Sequence, residues 1–468
     1  MTDLHVYDTT LRDGAQQEGL NLSVSDKLAI AAHLDELGVG FIEGGWPGAN
    51  PKDTEFFARA QHELTLHNAS LAAFGATRRV GGNAADDPLV RALLDSGAPV
   101  VTIVAKSHIG HVQRALRTTP EENLEMVRDT VRFLTSEGRR VFLDAEHFFD
   151  GYAVDRAYAV EVARAAMESG AEVVALCDTN GGMLPGQVGD VVNDVLAATA
   201  ARLGIHCHND TGCAVANSMA AVEAGATHVQ GTINGYGERT GNADLITVVS
   251  NLQIKRGLPL LEPHRLQEAT RIAHAISEVT NVPPYSRQPY VGASAFAHKA
   301  GLHASAIKVD PDLYQHIDPE LVGNERRILV SELSGQSTIV SKTAKYALAN
   351  DKAVMAKILS QVQDLEYAGY EFEAAEASFD LLVRKATDQY RPWFERLAYR
   401  VNIEAAGAEG PPTTEATVKV RVGDATSHTA SEGDGPVNAL DGALRKALLP
   451  AFPRLAEMVL VDYKVRVV

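Results

Sequence analysis

The chain has 468 residues but only three cysteines, Cys177, Cys207 and Cys213, and no two of them are spaced as CxxC. A disulfide framework and a zinc ribbon are therefore excluded, and a reducing compartment is expected. No apolar run is long enough to span a bilayer. The opening residues, MTDLHVYDTTLRDG, carry acids where a signal peptide needs bases. These features predict a cytoplasmic protein without a membrane partner. Basic residues are also in deficit. Lys and Arg number 43 against 60 Asp and Glu, a formal charge of −17. Such a surface repels phosphate backbones and excludes a broad nucleic-acid binder, though not an anionic small molecule held in a local pocket.

What is present is a rhythm. Over the first 255 residues or so, short apolar runs end in polar residues and alternate with amphipathic helical segments. The runs begin at Leu4, Val39, Ser70, Val100, Arg140, Glu172, Arg202 and Thr227. Ser25–Leu37 and Thr119–Glu137 read as helices, the second opening on Thr119 as N-cap. Gly170 and Gly225 stand where glycine ends helices. Eight such repeats with near-continuous apolar strands predict an α/β chain built on a (β/α)8 TIM barrel. A doubly wound open sheet is the alternative, but no GxGxxG opens the first helix.

The rhythm stops near Gly257. Helices are expected at Leu260–Val279, Gln336–Ala349 and Ala353–Glu366. From Phe372, the strand-like RLAYRVNIEAA and TEATVKVRVGD, a helix at Val437–Leu449 and the closing KVRVV suggest a small α+β module. The expected domains are a catalytic barrel over 1–257, a helical accessory region over 258–370 and a regulatory-type module over 371–468.

Barrel active sites lie at the C-terminal strand ends, and the runs end in chemistry there. The first ends with Asp8, Arg12, Asp13 and Gln16, and the fifth with Asp144, Glu146 and His147. The sixth ends with Asp178, Thr179 and Asn180, the seventh with His206, His208, Asn209 and Asp210, and the eighth with Asn234, Glu238 and Asn242. His206 and His208 are two apart, so their rings share one face of a strand. Two neutral imidazoles and the carboxylate of Asp13 make a metal-ligand set with open positions. Zn, Mn or Co would suit it, and substrate chelation also admits Mg. Cys207 points the other way, as a packed thiol, and Cys177 and Cys213 read as structural. A metal beside Arg12 and Glu146 suits addition to, or cleavage at, the carbonyl of a 2-oxo acid.

DTTLRDGAQ, HCHND and NGYGERTGNADL, in that order, resemble the Claisen-condensing acyltransferases of the isopropylmalate, homocitrate and citramalate synthase family. The similarity runs over residues 4–255 and continues through FAHKAGLHASAI into a C-terminal module like the family's allosteric domain. It implies Asp13, His206 and His208 as metal ligands, with Asn242 supporting or completing the shell. Arg12 would stabilise the enolate or alkoxide oxygen, Gln16 would line the site, and Glu146 would orient the oxo acid or relay a proton. Thr179 would bind the substrate carboxylate. His303 would be the base that takes a methyl proton from acetyl-CoA, reaching over the barrel of a partner in a homodimer. EGGWPGANPKD and AEHFFDGY look like the branch acting on pyruvate for isoleucine biosynthesis, with Trp46 narrowing the pocket to a methyl group or simply packing in the wall. Isoleucine would then be the effector. Lys106 and Arg78, also at strand ends, keep a dicarboxylic acceptor open, and isopropylmalate chemistry is the main alternative. A superfamily lyase is disfavoured because the loop GNADL lacks a cysteine. A metal-binding regulatory protein without catalysis would bind the metal and consume no thioester.

Overall fold

The eight runs form eight strands: β1 (His5–Asp8), β2 (Phe41–Gly45), β3 (Ser70–Ala76), β4 (Val100–Lys106), β5 (Arg140–Glu146), β6 (Val173–Asp178), β7 (Leu203–Cys207) and β8 (His228–Gly231). They come from a computed structural model in which residues 4–298, 303, 306–307, 309–328, 352–368, 370, 375–404 and 413–460 are described. The strands pair in parallel in chain order, and β8 returns to β1, from His228 opposite His5 to Gly231 opposite Asp8. The barrel is closed, as the repeat predicts. Both faces are covered, which is why the runs are apolar throughout.

Helices α1 (Val24–Leu37), α2 (Pro51–Glu63), α3 (Pro88–Asp95), α4 (Pro120–Ser136), α5 (Arg156–Glu168), α6 (Pro185–Thr199), α7 (Ala214–Glu223) and α8 (Leu245–Ser250) form the outer ring. Local chemistry sets their ends. Ser23 and Asp26 make a capping box on α1. Thr119 accepts from the Glu122 N–H ahead of Pro120 in α4. Gly170 and Gly225 take positive φ just beyond α5 and α7.

The expected helix over 260–279 is broken. One turn covers Pro263–Leu266 and a second helix, α9, spans Ala269–Thr280. Pro263 disfavours helical backbone at Glu262, and the Gln253 side chain holds Leu261 by two hydrogen bonds of 2.8 and 2.9 Å. The chain divides into two compact units, Met1–Leu329 and Val330–Val468. In the second, α10 (Lys352–Tyr367) and α11 (Glu376–Ala386) pack through Ile358, Val362, Leu382 and Val383. An antiparallel sheet of β9 (Glu395–Glu404), β10 (Thr413–Val422) and β11 (Ala425–Gly433) carries α12 (Pro436–Leu448). Ala439, Ala443 and Ala447 of α12 seat on Ala416, Val418 and Val420. Strand β11 was not expected: ATSHTASEG has no large apolar residue, and the two-residue turn at Gly423 and Asp424 pairs it with β10. The helix expected at Gln336–Ala349 and the terminal KVRVV fall outside the described residues.

The barrel interior changes character along its axis. At the N-terminal end Tyr7, Phe41, Ala72, Val100, Phe142 and Val173 form an apolar layer. His228 is buried in it, with its ring 5.1 Å from Tyr7 and 5.3 Å from Phe142. Burial and the neighbouring His5, Arg202 and Arg140 hold this imidazole well below its ordinary range, so it stays neutral. The unfolded chain takes up a proton near pH 6.5 that the folded ring refuses, so this group favours unfolding as pH falls below that value. Urea denaturation of the parent and His228→Phe between pH 7 and 5 should show the parent losing ground to the variant, by at most about 1.4 kcal/mol per pH unit. A constant difference would show that His228 is not the group responsible.

Candidate active site at the barrel mouth

The polar groups gather at the other end of the barrel. A cavity of about 270 Å³ is lined by Arg12, Asp13, Gln16, Trp46, Phe74, Val104, Asp144, Glu146, Cys177, Thr179, His206, His208, Glu238 and Arg239. The loop after β1 turns back through hydrogen bonds from Asp13 N and Gly14 N to Thr9 O, which brings Asp13 over the barrel. Its Oδ2 lies 3.1 Å from His206 Nε2 and 3.7 Å from His208 Nε2. All three side chains are buried, and they are the one cluster of potential His, Cys, Asp or Glu metal ligands among the described residues.

Burial would raise the Asp13 carboxyl, but Arg12 and the two imidazoles outweigh it and hold it well below the usual carboxylate range. His208 is pushed down to about 4, first by burial and then by His206, so it is neutral at physiological pH. His206 is also pressed down by burial, but its bond to Asp13 prevails and raises it. Behind it, Gln230 fixes the ring. Gln230 donates to Asp144 Oδ1 at 2.8 Å, so its Oε1 faces His206 Nδ1 at 2.9 Å. An acceptor there requires the proton on Nδ1, so the protonated ring donates from Nε2 to Asp13 and the neutral ring has its Nε2 lone pair available to a cation.

Asn242 stands beside His208 in an isolated β-bridge. Its Nδ2 donates to Tyr236 O at 3.1 Å, and its buried Oδ1 has no hydrogen-bond partner among the described residues. Two imidazole nitrogens, a carboxylate and an unanswered amide oxygen form a donor set that fits a divalent cation.

Arg12 is held from behind. Its Nε donates to the fully buried Glu43 at 2.6 Å, and Tyr7 donates to the other Glu43 oxygen at 2.8 Å. The guanidinium lies 3.9 Å over the Phe74 ring, and Trp46 meets that ring edge-on at 5.5 Å. Asp144 is pushed up to about 6, chiefly by burial and then by Glu43. Thr179 Oγ1 accepts the His147 N–H at 2.8 Å, which leaves its own hydroxyl proton to donate. Arg239 ties the loops together through Asp210, at 2.8 and 3.0 Å, and Thr179 O.

Most strand-end residues singled out in the sequence thus meet in one place: Arg12, Asp13, Gln16, Trp46, Glu146, Thr179, His206 and His208 line the cavity. His303 does not line it; it stacks on Tyr314 at 4.1 Å within the accessory segment. Glu146 is ion-paired to Lys106. Arg78 is buried between Glu122 and Asp129, each at 2.8 Å, and is not the second-carboxylate cation it was read as. Cys207 does pack behind the sheet, against Ser218 of α7. Cys177 instead forms part of the cavity wall, though burial and Asp144 keep the thiol protonated. Sequence reasoning missed Glu43, Gln230, Phe74, Val104 and Arg239. The first two had a signal, a polar residue inside an otherwise apolar strand.

Comparison with known proteins places this geometry. Residues 3–276 match the HMGL-like family, 290–369 the homocitrate synthase post-HMGL domain-like family, and 373–468 the LeuA allosteric (dimerisation) domain. The chain is 60% identical to an (R)-citramalate synthase of Streptomyces coelicolor, over 99% of this chain and 87% of that protein. It is 50% identical to an (R)-citramalate synthase of Synechocystis, over 100% and 87%. Among solved structures, an HMG-CoA lyase of Bacillus subtilis superposes with a TM-score of 0.52 at 20% identity, over 61% of this chain and 96% of that one, a likeness of fold. With its closed barrel, its strand-end histidine pair and these relatives, the chain belongs to the (R)-citramalate synthases, condensing acyltransferases of the HMGL-like family.

Proposed function

We propose that the barrel mouth joins acetyl-CoA to pyruvate, giving (R)-citramalate and CoA in the route to isoleucine, with a divalent cation held by Asp13, His206 and His208 and supported by Asn242. The observation that carries this reading is the buried Asp13–His206–His208 cluster beside the Arg12 guanidinium. Bound there, the cation supplies Lewis-acid polarisation of the 2-oxo group. The chain's own groups do the rest. The Thr179 hydroxyl donates to the acceptor carboxylate. Arg12, fixed by Glu43, meets the oxygen on which negative charge develops. Trp46, Phe74 and Val104 bound the space left for the acceptor side chain, which suits a methyl group. Glu146, neutralised by Lys106, orients the acid or passes a proton.

His303, from a partner subunit, takes the methyl proton of acetyl-CoA. The carbon–carbon bond then forms at the pyruvate carbonyl, and water cleaves the thioester to release CoA. The segment from Lys106 to Arg117 carries His108, His111 and Arg114 as well, and no acid occurs between Asp95 and Glu121. Its Arg114 and Arg117 supply positive charge for a phosphate-bearing thioester in a chain that is otherwise strongly acidic. The module over 371–468 serves dimer assembly and isoleucine binding, and the barrel domain is 1–257 with accessory residues 258–370. No helix among the described residues is long and apolar enough to cross a membrane. The three unpaired cysteines fit a reducing cytoplasm.

Thiol release from acetyl-CoA, with Mn present, should be fastest with pyruvate among pyruvate, 2-oxobutyrate, 2-oxoisovalerate and 2-oxoglutarate. Chelation and Asp13→Ala should each abolish it, and addition of Mn, Mg, Zn or Co in turn identifies the metal. Preference for 2-oxoisovalerate would make the activity isopropylmalate synthesis instead. Gln230→Leu should weaken Mn binding about 10–100-fold by calorimetry, because His206 loses its orienting partner. Unchanged affinity would remove Gln230 from the site. Sedimentation of the full chain should give a dimer; a monomer at micromolar concentration would exclude His303 acting from a partner.

A further inference from the structure

Trp46 has only glycines behind it. The strand β2 ends Gly44–Gly45–Trp46, and Gly45 takes φ of +140°. A Cβ on Gly45 would sit 2.4 Å from the carboxyl carbon of Asp53, and one on Gly44 would sit 2.5 Å from Phe56. Gly44 is required by the ring of Phe56, and Gly45 because Asp53, from the first turn of α2, is driven up beneath the backbone. There its Oδ2 accepts the Trp46 N–H at 2.9 Å. Its Oδ1 is ion-paired with Lys27 of α1, whose Nζ also donates to Gly44 O at 2.9 Å. Lys27 and Asp53 are both buried. One cation and one anion therefore grip the two peptide groups on either side of Gly45, using the carbonyl of Gly44 and the N–H of Trp46.

Neither side chain lines the cavity. Through the backbone they reach it at Trp46, whose indole meets the Phe74 ring that the Arg12 guanidinium covers. A buried pair is a weak source of stability but a strong source of geometry. Both charges must be satisfied by fixed partners, so the backbone between them cannot drift without stranding one.

We propose that Lys27 and Asp53 are positioning residues that set the acceptor-size limit, by pinning the Gly44–Trp46 backbone and so the indole wall of the pocket. The proposal rests on the reading of the cavity as a pyruvate site. It accounts for the spacing of EGGWPGANPKD, in which the aspartate follows the tryptophan by seven residues.

The test uses the full-length, Mn-loaded Trp393→Phe protein. The chain has two tryptophans, and Trp393 is largely exposed, so this parent reports Trp46 alone. Asp53→Asn keeps shape and removes the charge. Lys27→Met with Asp53→Asn removes both charges, strands neither, and carries the test should the single variant fail to fold. In the variants the kcat/KM ratio of pyruvate to 2-oxobutyrate should fall about 10-fold or more, in the range one methylene commands in a hydrophobic pocket. KM for acetyl-CoA should stay constant, and Trp46 emission should move to longer wavelength with greater acrylamide quenching. A loss of stability alone would lower all activities together and leave the ratio intact. A folded variant with the parent's ratio overturns the proposal, whether or not its emission shifts. Absence of thiol release by the parent with either acid would overturn the pyruvate reading as well, and is seen before any variant is compared.

Discussion

Charge balance in a closed space governs this barrel. Asp13, Glu43 and Asp144 are all buried at its mouth, and Arg12 is the fixed cation among them. An ion taken out of water is costly unless another answers it. One guanidinium cannot answer three carboxylates. Asp144 is pushed up to about 6, and His206 holds its proton more tightly against Asp13. A divalent cation between Asp13 and the two histidines would remove the same imbalance, because the site holds too much negative charge in too little water.

The fold makes that concentration tolerable by graded polarity. The lower interior is aromatic and aliphatic, and the change begins with Tyr7, whose ring belongs to the apolar layer and whose hydroxyl reaches Glu43 and Thr102. One level higher, Gln230 spans the barrel from Asp144 to His206. Arg12 is held by Glu43 of β2, and His206 of β7 by Gln230 of β8. The reacting face is thus positioned by side chains that touch no substrate, as a preorganised electrostatic site requires.

The parts legible in the sequence were those whose signal is local. Eight apolar runs, the cap at Thr119, and the same-face geometry of His206 and His208 follow from periodicity and from the hydrogen-bonding habits of single residues. Strand β11 was hidden because small polar residues carry no periodic apolar signal, and only pairing with β10 makes ATSHTASEG a strand. The break at Glu262 was readable from Pro263, yet the amphipathic pattern on both sides masked it. Arg78 shows the opposite failure. A cation at a strand end looks like a substrate anchor until the acids of α4 are seen to enclose it.

The sequence by itself determined the barrel, the positions of its strand ends, and which side chains with metal-binding or anion-binding chemistry would stand there. It also contained the motifs that carry the family resemblance. It could not show which of those groups are already committed to one another. Arg12 is held by Glu43 from 31 residues away, Lys106 is taken by Glu146, and His206 is oriented by Gln230. Such pairings depend on the parallel register of neighbouring strands, which sets Lys106 opposite Glu146. Closure of the barrel then brings Asp13, after the first strand, to His206 on the seventh, and burial excludes the water that would otherwise satisfy each group alone.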